Sequence, residues 1–234
     1  MTKNTNLSDY SSSGTGLSEM DNVVLAGEAV SNTPKITDMI KDDGSTFLHD
    51  AASGKETKID PAEMIDHLVI VDKLNKDNCT ALHLAIQNGK LLDFVPRMID
   101  NMSQRVIEVA SSADGNTALH YAIDHGRFDI AENLIARMGT DALVKKSHYK
   151  SNGIDSIQIS VLALAEHKAK DAYAKLENSV TMKEGAKHIQ YYAQRDLGYS
   201  KLVQKLKEKL SNQVDHHSVY PATIDHVVKR GLER

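Results

Sequence analysis

The sequence predicts an all-α fold: a solenoid of stacked helix-turn-helix units with a disordered N-terminal tail. Three observations lead there. First, one pattern occurs three times, as DDGSTFLHDAASG at Asp42–Gly54, DNCTALHLAIQNG at Asp77–Gly89 and DGNTALHYAIDHG at Asp114–Gly126. Second, the apolar residues after each copy recur at helical spacing. Third, the chain is 41% hydrophobic but has no Trp and only 5% aromatic residues. That balance suits units packed through Leu, Ile, Val and Ala. At 234 residues the chain fits one ordinary domain or a repeat array with tails.

Residues 1–33 are rich in Ser, Thr, Asn and Gly, broken only by Val23–Leu25 and Ala29–Val30. They bury too little apolar area to offset ordering entropy, so the stretch is expected to be a disordered tail. A short helix at Asn22–Val30 is compatible with it, and Thr33-Pro34 ends it. Ile36–Ile40 is apolar at i, i+3 and i+4 and is expected to be a short helix covering the first unit.

The repeat threonines, Thr46, Thr80 and Thr117, are spaced 34 and 37 residues apart. Thr46-Phe47-Leu48-His49, Thr80-Ala81-Leu82-His83 and Thr117-Ala118-Leu119-His120 resemble the Thr-Pro-Leu-His signature of the ankyrin repeat, whose period is about 33. The family's proline is Phe or Ala here. The resemblance implies repeats near 44–72, 78–102 and 115–139 within a domain spanning 34–210. The residue chemistry agrees with it. Each Thr caps a helix start. Leu48, Leu82 and Leu119 point into the stack, and Ala51, Ala85 and Ala122 allow close helix approach. Gly54, Gly89 and Gly126 end the first helices.

Second helices follow. In repeat one, Asp60 and Pro61 supply an N-cap and N1 for Ala62–Val71, with Met64, Ile65, Leu68 and Val69 on one face. In repeat two, Leu91–Met102 carries Leu92, Val95, Met98 and Ile99, and Pro96 is expected to kink it. In repeat three, Arg127–Met138 carries Ile130, Ala131, Leu134 and Ile135. Beyond Gly139 the signature decays. Ser160–Ala165 aligns with Thr80–Ala85 after a longer connection, with Ala169–Leu176 as its second helix. Tyr192–Gly198 followed by Tyr199–Leu210 suggests a capping unit. Degenerate repeats are therefore expected at 158–178 and 187–210. Residues 211–234 form a C-terminal tail with a short helix at Pro221–Arg230.

The candidate chemistry is weak. His49, His83 and His120 belong to the repeat signature. In this family they stand about 10 Å apart, whereas zinc needs ligands within about 2.1 Å. Cys79 stands before Thr80 with His83 four residues on, but Ser45 and Asn116 hold the equivalent positions. Asp215, His216, His217 and His226 form no complete ligand set. Lys201, Lys205, Lys207 and Lys209 line an amphipathic stretch, a solvated face or a membrane-surface helix. Lys145, Lys146 and Lys150 lack the interleaved aromatics of single-strand binders. No phosphate loop, HExxH or GxSxG is present. Neither cofactor nor metal is expected, and no nucleic-acid partner.

Charge is uneven. Residues 1–140 carry 12 Lys and Arg against 21 Asp and Glu, a net of −9, while residues 141–234 carry a net of +5. No apolar run approaches the ~18 residues of a membrane span, and no secretory h-region is visible. The single cysteine, Cys79, fits a reducing compartment, so a cytoplasmic setting is expected.

The ankyrin resemblance implies a non-enzymatic module whose concave face, turn tips and first-helix ends bind a partner protein. Carried onto this chain, those positions are Asp42, Asp43, Ser53, Lys76, Asp77, Gln87, Asn88, Asp114, Asp124, His125, His167 and Lys168. Asn78 replaces the turn glycine in repeat two and tolerates the same conformation; Gln158 replaces it in repeat four. The acidic character through repeats one to three points to a partner with a basic or mixed-charge segment. A bacterial effector delivered into a host cytoplasm is the setting suggested by analogy. Two alternatives stay open: an enzyme with its site in 140–234, and a membrane-surface module using the 201–210 helix.

Overall fold

The computed structural model describes residues 40–149 and 157–212. The expected tail at 1–33, the expected tail at 211–234 beyond Asn212, the helices at 22–30 and 221–230, and the Asp215/His216/His217/His226 group lie outside them; Ser211 ends the last helix instead. Of the expected helix at Ile36–Ile40 only Ile40 is described, and it pairs with Thr46 in an extended bridge.

Repeat one comprises α1 (Phe47–Ala52), α2 (Pro61–Ile65) and α3 (Leu68–Val71). Repeat two comprises α4 (Ala81–Asn88), α5 (Val95–Asn101) and α6 (Gln104–Ile107). Repeat three comprises α7 (Ala118–Asp124), α8 (Phe128–Arg137) and α9 (Thr140–Leu143). A two-stranded antiparallel hairpin follows, β1 (Lys146–Tyr149) and β2 (Ile157–Ser160), with Lys146 opposite Ser160 and Ser147 opposite Ile159. Two long helices close the fold, α10 (Val161–Thr181) and α11 (Ala186–Ser211). Helices α1, α4, α7 and α10 form an inner row, each packed on the next. Helices α2, α5, α8 and α11 form an outer row packed in the same way. The core runs continuously between the rows, through Leu48, Leu82, Leu119 and Leu164.

The repeat signature builds a recurring joint. In each repeat the Thr backbone N–H donates to the Nδ1 of the histidine three residues on, at 3.2 Å in all three copies. The Thr hydroxyl stands 2.8–2.9 Å from the same nitrogen. This is a capping box with His in the place usually held by Glu or Gln. Since Nδ1 accepts, the ring proton sits on Nε2. That N–H donates across to the next unit, from His49 to the Cys79 carbonyl (3.0 Å) and from His83 to the Val109 carbonyl (3.1 Å). His120 Nε2 faces the Ile159 carbonyl but lacks a hydrogen bond of normal geometry. The ladder ends there, because Ala163 takes the histidine's place in α10. The Ser160 hydroxyl accepts from the Ala163 N–H at 3.3 Å and caps that helix alone.

Other joints repeat as well. Asp72 and Glu108, which follow α3 and α6, each accept the backbone N–H that opens the next short helix: Ser103 at 2.9 Å and Gly139 at 2.7 Å. Glu108→Ala is expected to cost about 1–2 kcal/mol by stranding that N–H, read as a lower urea midpoint with an unchanged slope. Cations also recur beside the inner-helix ends. Lys90 lies over Gly54, Arg127 over Gly89 and Arg195 over Gly126. Each sits where the helix dipole favours positive charge.

Several details differ from the sequence reading. The expected helix Ala62–Val71 breaks at Asp66-His67, so Leu68 and Val69 turn outward (54% and 55% exposed) while Ile70 and Val71 take the buried positions. Asp60 does cap α2, accepting from the Ala62 N–H at 2.8 Å. Pro96 kinks nothing. Leu91 at φ +53° and a 3-10 turn at Leu92–Phe94 restart the chain, so Pro96 falls in the first turn of α5, where no backbone donor is required. The two degenerate repeats expected at 158–178 and 187–210 are instead one long helix pair. α10 continues the inner row from α7, and α11 continues the outer row from α8. The tip expected around Gln158 is a β-hairpin, and Gln158 lies within β2. The hairpin still behaves as the fourth turn tip: His148 N–H donates to the Asp114 carbonyl (2.8 Å), just as Ser112 N–H donates to that of Asp77 (3.0 Å). Asn78 holds φ +57°, beside Gly44 at +80° and Gly115 at +71°, so it does replace the turn glycine.

Candidate partner-binding groove

The turn before α7, the exposed side of α7 and the start of β1 enclose a groove of about 680 Å³. Four residues expected to contact a partner, Gln87, Asp114, Asp124 and His125, line it together. Gln87 comes from the last turn of α4. Asp114 comes from the turn, where its carboxylate accepts the Asn116 N–H (2.9 Å), the Asn116 side-chain amide (2.7 Å) and the Tyr121 hydroxyl (2.8 Å). Burial works against that charge, yet these donors hold the Asp114 carboxyl below the usual carboxylate range. Burial, and then the bond to Asp114, push the Tyr121 phenol well above its ordinary value. Tyr121 therefore stays neutral and holds the carboxylate in place. Asp124 ends α7 and pairs with Lys168 of α10 at 2.6 Å. His125 follows Asp124 and is exposed.

The groove floor is set by the buried frame. His120 reaches it from below, 1% exposed. Burial holds His83 and His120 down to about 4 and lowers His49 in the same direction. All three rings are therefore neutral at pH 7, as their Nδ1 acceptor role requires. A family model described as Ankyrin repeats (3 copies) matches residues 48–146. These residues are ankyrin repeats. A search of curated proteins found no match. Ankyrin repeats generally mediate protein–protein interaction, and the family is typically non-catalytic. The groove lies over the second and third ankyrin repeats and reaches into α10 at Leu164, which lies beyond the matched span.

The other expected contact residues lie outside the groove. Asp42, Asp43, Lys76 and Asp77 are exposed at the first two ankyrin turns. The Asp43 carboxylate accepts from the Ser45 N–H (2.9 Å) and hydroxyl (2.6 Å), so it shapes its own turn. The Ser53 hydroxyl donates back to the His49 carbonyl at 2.8 Å. Asn88 donates to the Ala52 carbonyl at 3.3 Å and joins repeat two to repeat one. His167 is exposed on α10. Sequence reasoning missed Tyr121, Asn116 and His148. Tyr121 had a legible signal: it directly follows the signature histidine, where repeats one and two carry Asp50 and Leu84.

The Cys79 thiol is buried, which pushes its pKa up, and both nitrogens of His83 are engaged elsewhere. Among the described residues no group of three His, Cys, Asp or Glu is placed to hold a metal ion. Three lysines of the 201–210 stretch meet partners on neighbouring helices. Lys205 pairs with Glu132, Lys207 with Glu166 at 2.9 Å, and Lys209 reaches the carbonyls of Ile135 and Ala136 at the end of α8. Among the described residues no helix is long and apolar enough to cross a membrane.

Proposed function

We propose that the chain is a non-catalytic ankyrin module that seats a basic or mixed-charge segment of a partner protein in the groove between Gln87 and Leu164. One observation carries the reading: four residues selected from repeat positions alone converge on one groove, two of them carboxylates. The net charge of −9 over residues 1–140 supports a basic segment, because it raises the local concentration of positive charge. Both carboxylates are already engaged, Asp124 by Lys168 and Asp114 by Asn116 and Tyr121, so they act on the segment through their charge. A cytoplasmic setting accords with the single thiol of Cys79, and delivery as an effector into a host cell is compatible with the same mode of binding.

The test must spare the frame. Asp114→Lys would break the turn, so it does not report on binding. Gln87 and His125 are exposed and line the groove. The double variant Gln87→Lys/His125→Lys is expected to keep the wild-type melting temperature and to lose partner proteins captured by the tagged full chain. Affinity for such a partner should fall about tenfold or more, with a smaller difference at high salt. Capture of the same proteins at the same strength by the double variant rules out the groove as their site.

A further inference from the structure

The margin of the α10–α11 pair gathers basic and phenolic side chains along one edge. Lys168, Ala172 and Lys175 follow one another at spacings of four and three on α10, and Tyr192, Arg195 and Tyr199 at three and four on α11. Ala172 and Tyr199 are buried where the two helices meet, while Lys168, Lys175, Tyr192 and Arg195 stand at the margin. Together they line a cleft of about 240 Å³. Arg195 lies at its centre. Its guanidinium donates to the hydroxyls of Tyr199 (2.6 Å) and Tyr191 (3.4 Å) and stands 5.3 and 5.7 Å from their ring centroids. Both phenol oxygens accept from arginine, so their own O–H hydrogens stay available to donate. Among the described residues Arg195 makes no ion pair with a carboxylate. The lining carries three cations, Lys168, Lys175 and Arg195, against one carboxylate, Asp171. Asp171 pairs with Lys175 at 2.7 Å in an exposed i,i+4 bridge, and Lys168 is already held by Asp124.

We propose that this cleft is a binding site for a phosphate-class oxyanion, held by the Arg195 fork with Lys175 and the tyrosine hydroxyls. Arginine matches such an anion with paired N–H donors, and phenol donors complete the set. Exposed i,i+4 pairs contribute little, so Lys175 can turn from Asp171 to the anion at small cost. The site is separate from the groove and does not rest on the partner reading. Lys168 and Lys175 are each balanced by a carboxylate, so Arg195 carries the uncompensated positive charge that a bound oxyanion would meet.

The test uses the full chain in calorimetric titrations with inorganic phosphate and with phenyl phosphate at constant ionic strength. Saturable binding of at least one is expected. Tighter binding of phenyl phosphate assigns the site to a phosphoryl ester beside the tyrosines, and tighter binding of phosphate assigns it to the free ion. Arg195→Gln should weaken binding about tenfold or more. Because Arg195 also covers Gly126, two exposed variants carry the decision without touching the core. Lys175→Gln should weaken binding about fivefold, and Asp171→Asn should tighten it by about the same factor. Absence of saturable heat with either anion overturns the proposal. So does wild-type binding by both Lys175→Gln and Asp171→Asn.

Discussion

Lowering the pH from 7 to 4 is expected to cost the folded chain about 6 kcal/mol through His83 and His120 alone. Burial holds both rings down to about 4, against about 6.5 in the unfolded chain. Between those values the unfolded state binds protons that the folded state refuses. Stability is therefore full above pH 6.5 and falls as pH drops toward 4, by about 1.4 kcal/mol per pH unit for each ring. His49 shifts in the same direction and adds to the loss. Burial is the main cause, and the joint is what suffers: a protonated ring cannot accept at Nδ1, so the Thr N–H it serves loses its partner in a dry site. The carboxylates held low, Asp43, Asp50 and Asp114, contribute only near and below pH 4, so the window from 6.5 to 4.5 belongs to the histidines. Urea titrations across that window read the slope directly. The variant His83→Gln keeps a residue that completes a capping box but cannot titrate. It should flatten the slope by about 1.4 kcal/mol per pH unit. A slope equal to wild type in that variant means that His83 is not a source of the acid sensitivity.

Most of this frame was legible because its parts are local or strictly repeated. Thr46, Thr80 and Thr117 each meet a histidine three residues on, and Asn78 stands where its sister repeats place glycine. The outer row was harder to read. Leu68 and Val69 look like core on any helical wheel, but the break at Asp66-His67 rotates them outward. Pro96 is at odds with a helix only until Leu91 restarts the chain ahead of it. The length of α10 left a trace that repeat alignment hid. Gly54, Gly89 and Gly126 follow the inner helices of the first three repeats, whereas no glycine stands between Gly153 and Gly185. With no terminator after Lys168, the inner helix runs on past the width of the stack. The groove was half legible. Repeat positions selected Gln87, Asp114, Asp124 and His125, but the pairing of Asp124 with Lys168 depends on α10 packing against α7. A distance of that kind is absent from any local pattern.

The last helix pair rests on a contact that one substitution should undo: Gly198→Leu is expected to detach α11 from α8. A Cβ at Gly198 would lie 2.5 Å from the Phe128 ring, far inside contact distance. Phe128 opens α8 and meets Tyr199 edge-on, with centroids 4.9 Å apart. Glycine in a helix interior costs about 1 kcal/mol relative to alanine, so its presence in α11 requires a compensating gain. Close approach of that ring to the helix backbone supplies one. With leucine in place, overpacking costs about 1–3 kcal/mol and the lost aromatic contact about 1 more, partly offset by better helix propensity. A net loss of about 1–3 kcal/mol follows. The loss is local, because α11 is the element that covers the outer face of repeat three. Once it lifts, Leu134 and Ile135 of α8 and Leu202 and Leu206 of α11, all buried now, meet water. Hydrogen exchange should accelerate in α11 and α8 while α1 and α4 keep wild-type protection. The double variant Phe128→Ala/Gly198→Leu separates a clash from a general defect. If the ring is the obstacle, removing it restores part of what leucine lost, and the cycle gives a coupling of about 1 kcal/mol or more. Strict additivity of the two substitutions would place the fault elsewhere in α11. The same experiment bears on both proposed sites, since Arg195 in α11 lies over Gly126 at the end of α7. Lifting α11 should abolish anion binding in the cleft while leaving Gln87 and Asp114, which α4 and the turn before α7 hold, in place to meet a partner.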